Sequence, residues 1–140
     1  MDDYTGVKIA LIKGDELLVI QRDNIPNIPY ANMWDFAGGA REGGETPFEC
    51  VAREVNEELG LVIRPEAIVW EKTYSAMHDS AQRAYFMVAN IDENDIKNVV
   101  FGDEGQGWKL ISVEEFMRDD TVVEPLKGRL SDYLSSRTNH

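Results

Sequence analysis

Glu54, Glu57 and Glu58 stand at i, i+3 and i+4. At about 100° per residue that spacing puts three carboxylates on one arc of a helix. In water each such pair repels by roughly a few tenths of a kcal/mol. A divalent cation offsets the repulsion, and oxygen donors are what Mg2+ or Mn2+ prefers. Ions held this way clamp phosphoryl oxygens and turn bound water into a nucleophile. The glycine-rich stretch Gly38 to Gly44 leads into the acidic segment, and glycines let backbone groups approach a pyrophosphate or a metal. A solvated acidic face has the same spacing, and periodicity alone does not choose between the two.

The helix that must carry these groups has clear ends. Thr46-Pro47-Phe48-Glu49 combines a capping threonine, a proline at the first helical position and a glutamate three residues after the cap. Gly60 supplies the stop. Between them Phe48, Val51, Ala52, Val55 and Leu59 form an apolar arc opposite the glutamates. Ahead of the helix, Val7 to Ile12 and Glu16 to Gln21 read as a β-hairpin turning at Lys13-Gly14-Asp15. An irregular segment from Arg22 to Met33 follows, then a short strand at Trp34-Asp35-Phe36. Leu61 to Thr73, Gln82 to Ile91 and Gly107 to Ile111 read as strands. Ser112 opens a short helix, and Pro125 to Ser135 a C-terminal amphipathic one. The alternation predicts an α/β class with α/β/α layers.

Composition narrows the partners. The 140 residues suit one domain, residues 1–140, with 43% hydrophobic and 29% charged residues. Fourteen basic against 26 acidic residues leave a net charge of −12, which disfavours long nucleic acid and anionic lipid surfaces. Cys50 is the one cysteine, so an internal disulfide and a cysteine-built zinc site are excluded. Only His78 and His140 are available for a histidine centre. The longest apolar run, Ala84 to Ala89, is far too short to span a bilayer. The acidic start Met1-Asp2-Asp3-Tyr4 lacks a secretory leader pattern. A soluble cytoplasmic protein is the expectation.

Gly39, Glu45, Arg53, Glu54, Val55, Glu57, Glu58, Gly60 and Leu61 match without a gap the signature of the Nudix (MutT-like) hydrolases. That box covers residues 39 to 61, and the looser resemblance runs from about residue 5 to 118. The resemblance implies a Nudix α/β/α sandwich with a mixed β-sheet. It also implies Mg2+- or Mn2+-dependent hydrolysis of a pyrophosphate bond in a nucleoside triphosphate or a nucleoside diphosphate linked to another group. By position, Glu54, Glu57 and Glu58 are the implied metal ligands, with the Gly38 carbonyl a further one. Arg53 is the implied orienting residue and belongs with Glu57 and Glu104 in the catalytic set. Glu45 supports the metal shell or the loop. Glu104, in Asp103-Glu104-Gly105-Gln106-Gly107-Trp108, matches the placement of a late-loop catalytic base, in competition with Glu57 and Glu58. Gly39 and Gly60 are read as turn residues. The family commonly has proline where Ala37 stands, which bears on loop geometry and removes no ligand.

Arg22 and Trp34 are the candidate substrate contacts, an arginine for phosphate or base and an indole for stacking, each with an ordinary structural role as the alternative. Cys50 reads as a small buried thiol and His78 as a loop residue. Within the class, an oxidised nucleotide such as 8-oxo-dGTP competes with ADP-ribose, a nucleotide sugar, a dinucleoside polyphosphate or an RNA 5′ end. The short chain and acidic charge favour a small nucleotide. A catalytically silent nucleotide-sensing domain is the rival from another class, at odds with an intact set of box residues. Nudix proteins are often dimers, although no interface signature stands out in the sequence.

Overall fold

Side-chain alternation along the first strand sorts the core into two layers. In the computed structural model, which describes residues 3–138, β1 (Gly6–Lys13) turns at Gly14 into β2 (Glu16–Gln21). His140 and the start of the N-terminal segment lie outside the described residues. Val7, Ile9 and Leu11 enter one buried cluster, while Ala10 and Ile12 enter the other. That is the period of two expected of a strand covered on both faces.

The two hairpin strands then diverge, and the chain itself fills the wedge. Residues 11–13 of β1 pair with 16–18 of β2. Beyond that point β1 pairs instead with β4 (Ala37–Ala40), and Ile20 and Gln21 pair with β3 (Trp34–Asp35). The glycine-rich stretch therefore begins as a strand, not a loop. Gly38 shows why glycine is needed there: its φ is 142°, and an added Cβ would lie 2.1 Å from the Val7 carbonyl oxygen.

The carboxylate helix forms as its ends predict. α1 runs Pro47–Leu59 with a complete Thr46–Glu49 capping box, and Gly60 closes it at φ 67°. Cys50, Val51, Val55 and Leu59 are its buried residues. The strand expected from Leu61 starts late. Residues 61–64 are irregular and Pro65–Ala67 is a 3-10 turn, so β5 is Ile68–Ser75. Leu61 and Ile63 are buried as a strand pattern suggests, but Pro65 lacks a donor for any ladder. β6 (Arg83–Asn90) follows, then α2 (Glu93–Lys97), a helix the hydrophobic pattern did not reveal, opened by an Asp92–Asp95 capping box. β7 (Gly107–Ser112), α3 (Val113–Arg118) and α4 (Pro125–Thr138) complete the described chain.

The seven strands form one mixed sheet. β1 lies parallel to β6 over residues 6–12, and the other pairings are antiparallel. α1 packs Val51, Val55 and Leu59 on one face, against Ile9, Leu11 and Met87. Phe116, Leu126 and Leu130 of α3 and α4 cover the other, against Phe36, Phe86 and Val88. This is the expected α/β/α sandwich, and its wedge at β3 and β4 meets α1 at the acidic face.

Candidate active site

Arg53 is the hub of the acidic face. Its Nε and Nη2 form a fork on Glu45 at 2.7 and 3.0 Å. Nη1 donates to Glu54 at 2.7 Å and to Glu57 at 3.1 Å, and Nη2 also reaches the Ala40 carbonyl at 2.9 Å. A planar guanidinium suits several acceptors at once. Hydrogen bonding to the glutamates, Glu45 first, holds the Arg53 pKa above its already high ordinary value. In return the Arg53 fork holds the Glu45 carboxyl down at about 2.

That shift fixes a pH prediction. Glu45 has a lower pKa in the folded state than its ordinary 4.5, so its pairing stabilises the fold above pH 4.5. The contribution fades as pH falls from there toward 2. Urea unfolding of wild type and Glu45→Gln should therefore show a stability gap at neutral pH that closes across this interval. A gap independent of pH would show that the fork does not act through charge.

The carboxylates that gather are not quite those the helix spacing suggested. Glu42, Glu54 and Glu57 each offer an oxygen within 4.8 Å of the others. Glu42 comes from the loop before α1 and also pairs with Arg53 at 3.3 Å. Glu57 and Glu58 lie about 100° apart around the helix, so they face different neighbours. Glu58 turns to the wedge, where it accepts from the Gly38 amide at 3.2 Å. Burial pushes its carboxyl up to about 8, against the opposing influence of Lys8 and that amide. Gly39 proves not to be a turn residue. It lies in β4, and a Cβ there would sit 2.5 Å from the Glu54 carboxylate. The missing side chain is the space Glu54 occupies.

A cavity of about 240 Å3 opens beside this cluster, lined by Lys8, Arg22, Asp35, Gly38, Glu58 and Glu104 among others. Asp35, only 4% exposed, accepts from Lys8 Nζ at 2.8 Å, Arg22 Nη1 at 3.0 Å and the Phe36 amide at 2.7 Å. The buried carboxylate is thereby fully paired, and two cations are fixed at the cavity wall.

The Glu104 loop is tied down on both sides. The Gly102 amide donates to the Glu58 carbonyl at the end of α1, and a Cβ on Gly102 would meet the Glu57 carbonyl oxygen at 2.3 Å. On the other side the Gln106 side chain reaches the Arg22 carbonyl at 2.7 Å and Asn32 Oδ1 at 2.8 Å. Glu104 itself is exposed at the cavity.

The family model of the NUDIX domain matches residues 4–132 of this chain. The chain belongs to the Nudix family. Among curated relatives, the putative 8-oxo-dGTP diphosphatase 2 of Mycobacterium tuberculosis is 39% identical over 59 residues, 42% of this chain. That match spans only 40% of the relative's length. The 8-oxo-dGTP diphosphatase of Escherichia coli is 25% identical over 89% of this chain and 94% of its own. Among solved structures, a MutT protein from Methanosarcina mazei superposes with a TM-score of 0.75 at 20% identity, over 97% of this chain and 96% of that one.

Within the Nudix fold, then, the structure brings Arg53, Glu45, Glu54 and Glu57 together, and places Glu58, Gly38, Glu104 and Arg22 around the adjoining cavity. Trp34 goes elsewhere. It packs in the α4-side cluster, carries the Lys109 ammonium 4.2 Å from its ring centroid, and does not line the cavity. Three residues were missed. Lys8 inside an apolar strand and Asp35 between two aromatics are both out of pattern, a readable signal. Glu42 carries no such mark, because only the loop's return onto α1 recruits it.

A divalent cation fits this donor set. Glu42, Glu54 and Glu57 are hard oxygen donors, already gathered despite mutual repulsion and offset so far by a single guanidinium.

Proposed function

We propose that this protein hydrolyses a pyrophosphate bond in a small nucleotide, with an oxidised guanine nucleotide, 8-oxo-dGTP, as the leading substrate. The observation that carries the reading is the trio of glutamate oxygens within 4.8 Å of one another. They lie beside a cavity walled by Lys8 and Arg22. The choice of substrate leans on the Escherichia coli relative, matched over nearly its whole length.

Glu54 and Glu57, joined by Glu42, are the residues that would hold Mg2+ or Mn2+, with Glu58 and the Gly38 carbonyl toward the cavity. When bound, such a cation neutralises phosphate oxygens and acidifies water. Arg53 keeps the glutamates aimed, and Glu45 keeps Arg53 in place. Lys8 and Arg22 supply positive charge to the phosphate chain in an otherwise acidic molecule. Water adds to phosphorus, the bridging P–O bond breaks, and Glu104 takes the proton. Glu104 suits that task because it lines the cavity and lies outside the Arg53 network.

The reading extends to a cytoplasmic setting with a small-molecule partner. Among the described residues no helix is long and apolar enough to cross a membrane.

The test is product release from dGTP, 8-oxo-dGTP, ADP-ribose, UDP-glucose, NADH and a diadenosine polyphosphate, with Mg2+, Mn2+ or EDTA. Turnover of 8-oxo-dGTP above the others, abolished by EDTA, is the expected outcome. Excess Mg2+ should also raise the melting temperature. Silence across the panel from a protein that binds the metal would count against a hydrolase of this substrate range.

A further inference from the structure

A second cavity, of about 190 Å3, lies on the α4 side of the sheet, with Gly6, Lys8, Gly39, Met77, Ala84 and Arg129 in its walls. Arg129 is the unusual member. It is only 5% exposed, and among the described residues no carboxylate pairs with it. Among those residues its guanidinium makes one hydrogen bond, from Nη2 to the Ser75 carbonyl at 2.9 Å, and lies 4.9 Å from the Tyr74 ring centroid. Buried arginines are ordinarily paired. This one has five N–H groups and gives one to a carbonyl, while its side chain borders a cavity.

The rest of the wall is mostly apolar, apart from Thr5, whose hydroxyl donates to the Arg83 carbonyl, exposed His78, and Lys8, whose ammonium is committed to Asp35. A phosphate would find too few donors there. A flat ring with an acceptor edge matches both the apolar walls and the single cationic fork. The cavity also adjoins the acidic cluster. Lys8 lines both cavities, Gly39 packs against Glu54, and the Ala40 carbonyl holds Arg53.

We propose that this cavity is the base subsite and that Arg129 selects a 6-oxopurine by donating to its acceptor edge; the inference rests on the nucleotide reading above. Guanine offers O6 and N7 to such a fork, and 8-oxoguanine, whose N7 carries a hydrogen, offers O6. Adenine places an amino donor where O6 would be, facing a residue that can only donate. Arg129 is thus a specificity residue outside the acidic cluster.

The test measures binding without turnover, by titrating dGMP, dAMP and inorganic phosphate in EDTA. Wild type is expected to bind dGMP at least about tenfold more tightly than dAMP, a ratio that falls to about one in Arg129→Met. Ala84→Leu fills the cavity while leaving Arg129 in place, and should weaken both nucleotides. Equal affinities in wild type, an unchanged ratio in Arg129→Met, or phosphate binding lost in that variant would each overturn the subsite. Should Arg129→Met not fold, unchanged dGMP affinity in Ala84→Leu would do so. A protein that binds dGMP as described yet hydrolyses no nucleotide with Mg2+ keeps the subsite and loses the hydrolase reading.

Discussion

Glu57→Gln is expected to lower kcat by about a thousandfold or more, a loss of about 4 kcal/mol in transition-state stabilisation, while the fold stays intact. The substitution is isosteric and removes one charge from the Glu42–Glu54–Glu57 group. A carboxamide is a poor ligand for a hard divalent ion, so the effect should fall on chemistry. Little structural cost is expected. The Glu57 side chain is 51% exposed and its partner Arg53 keeps Glu45 and Glu54. Exposed i, i+4 pairs contribute only about 0.3–0.5 kcal/mol. Turnover at saturating Mg2+, read beside urea unfolding, separates the two effects. A kcat within about tenfold of wild type, with folding unchanged, would remove Glu57 from the site.

The second large effect falls on stability. Gly38→Ala should cost about 3 kcal/mol or more, from two separate penalties. The residue holds φ 142°, a conformation that a Cβ disfavours, and that Cβ would sit 2.1 Å from the Val7 carbonyl oxygen and 2.8 Å from the Lys8 Cα. Both obstacles are backbone, so relief requires β1 and β4 to part. Gly43→Ala serves as the control. At φ 54° it carries the conformational penalty, yet nothing lies within 4 Å, and about 1–2 kcal/mol is expected. Equal losses in the two variants would show that strand contact at Gly38 is unimportant. A greater loss at Gly38 should be accompanied by reduced activity, since the same peptide donates to Glu58.

What could be read in advance follows from how far each cause reaches along the chain. Thr46, Glu49 and Gly60 mark α1 because caps act within four residues, and the hairpin strands were legible from their period of two. Leu61 and Ile63 misled for the opposite reason. Their alternation is real and they are buried, but pairing needs a strand alongside and donors that Pro65 lacks. Trp34 was ambiguous because an indole serves stacking or packing equally, and only the contacts from Val122 and Lys109 place it, half-buried, against the α4-side core. The α2 helix escaped since it has no buried residue to set a pattern, although Asp92 and Asp95 form a local capping box.

By itself the sequence determined the acidic helix, its caps, the Arg53 partnership and membership in the Nudix family, all of which depend on residues close in the chain or on a contiguous signature. The tertiary structure decided which carboxylates meet. It brought Glu42 back to Glu54, turned Glu58 toward Gly38, and paired Asp35 with Lys8, 27 positions apart in the chain. It also left Arg129 buried with no carboxylate partner among the described residues. Such pairings depend on β1 and β2 diverging and on the chain between them filling the gap, a consequence of the sheet as a whole that no short stretch of residues encodes.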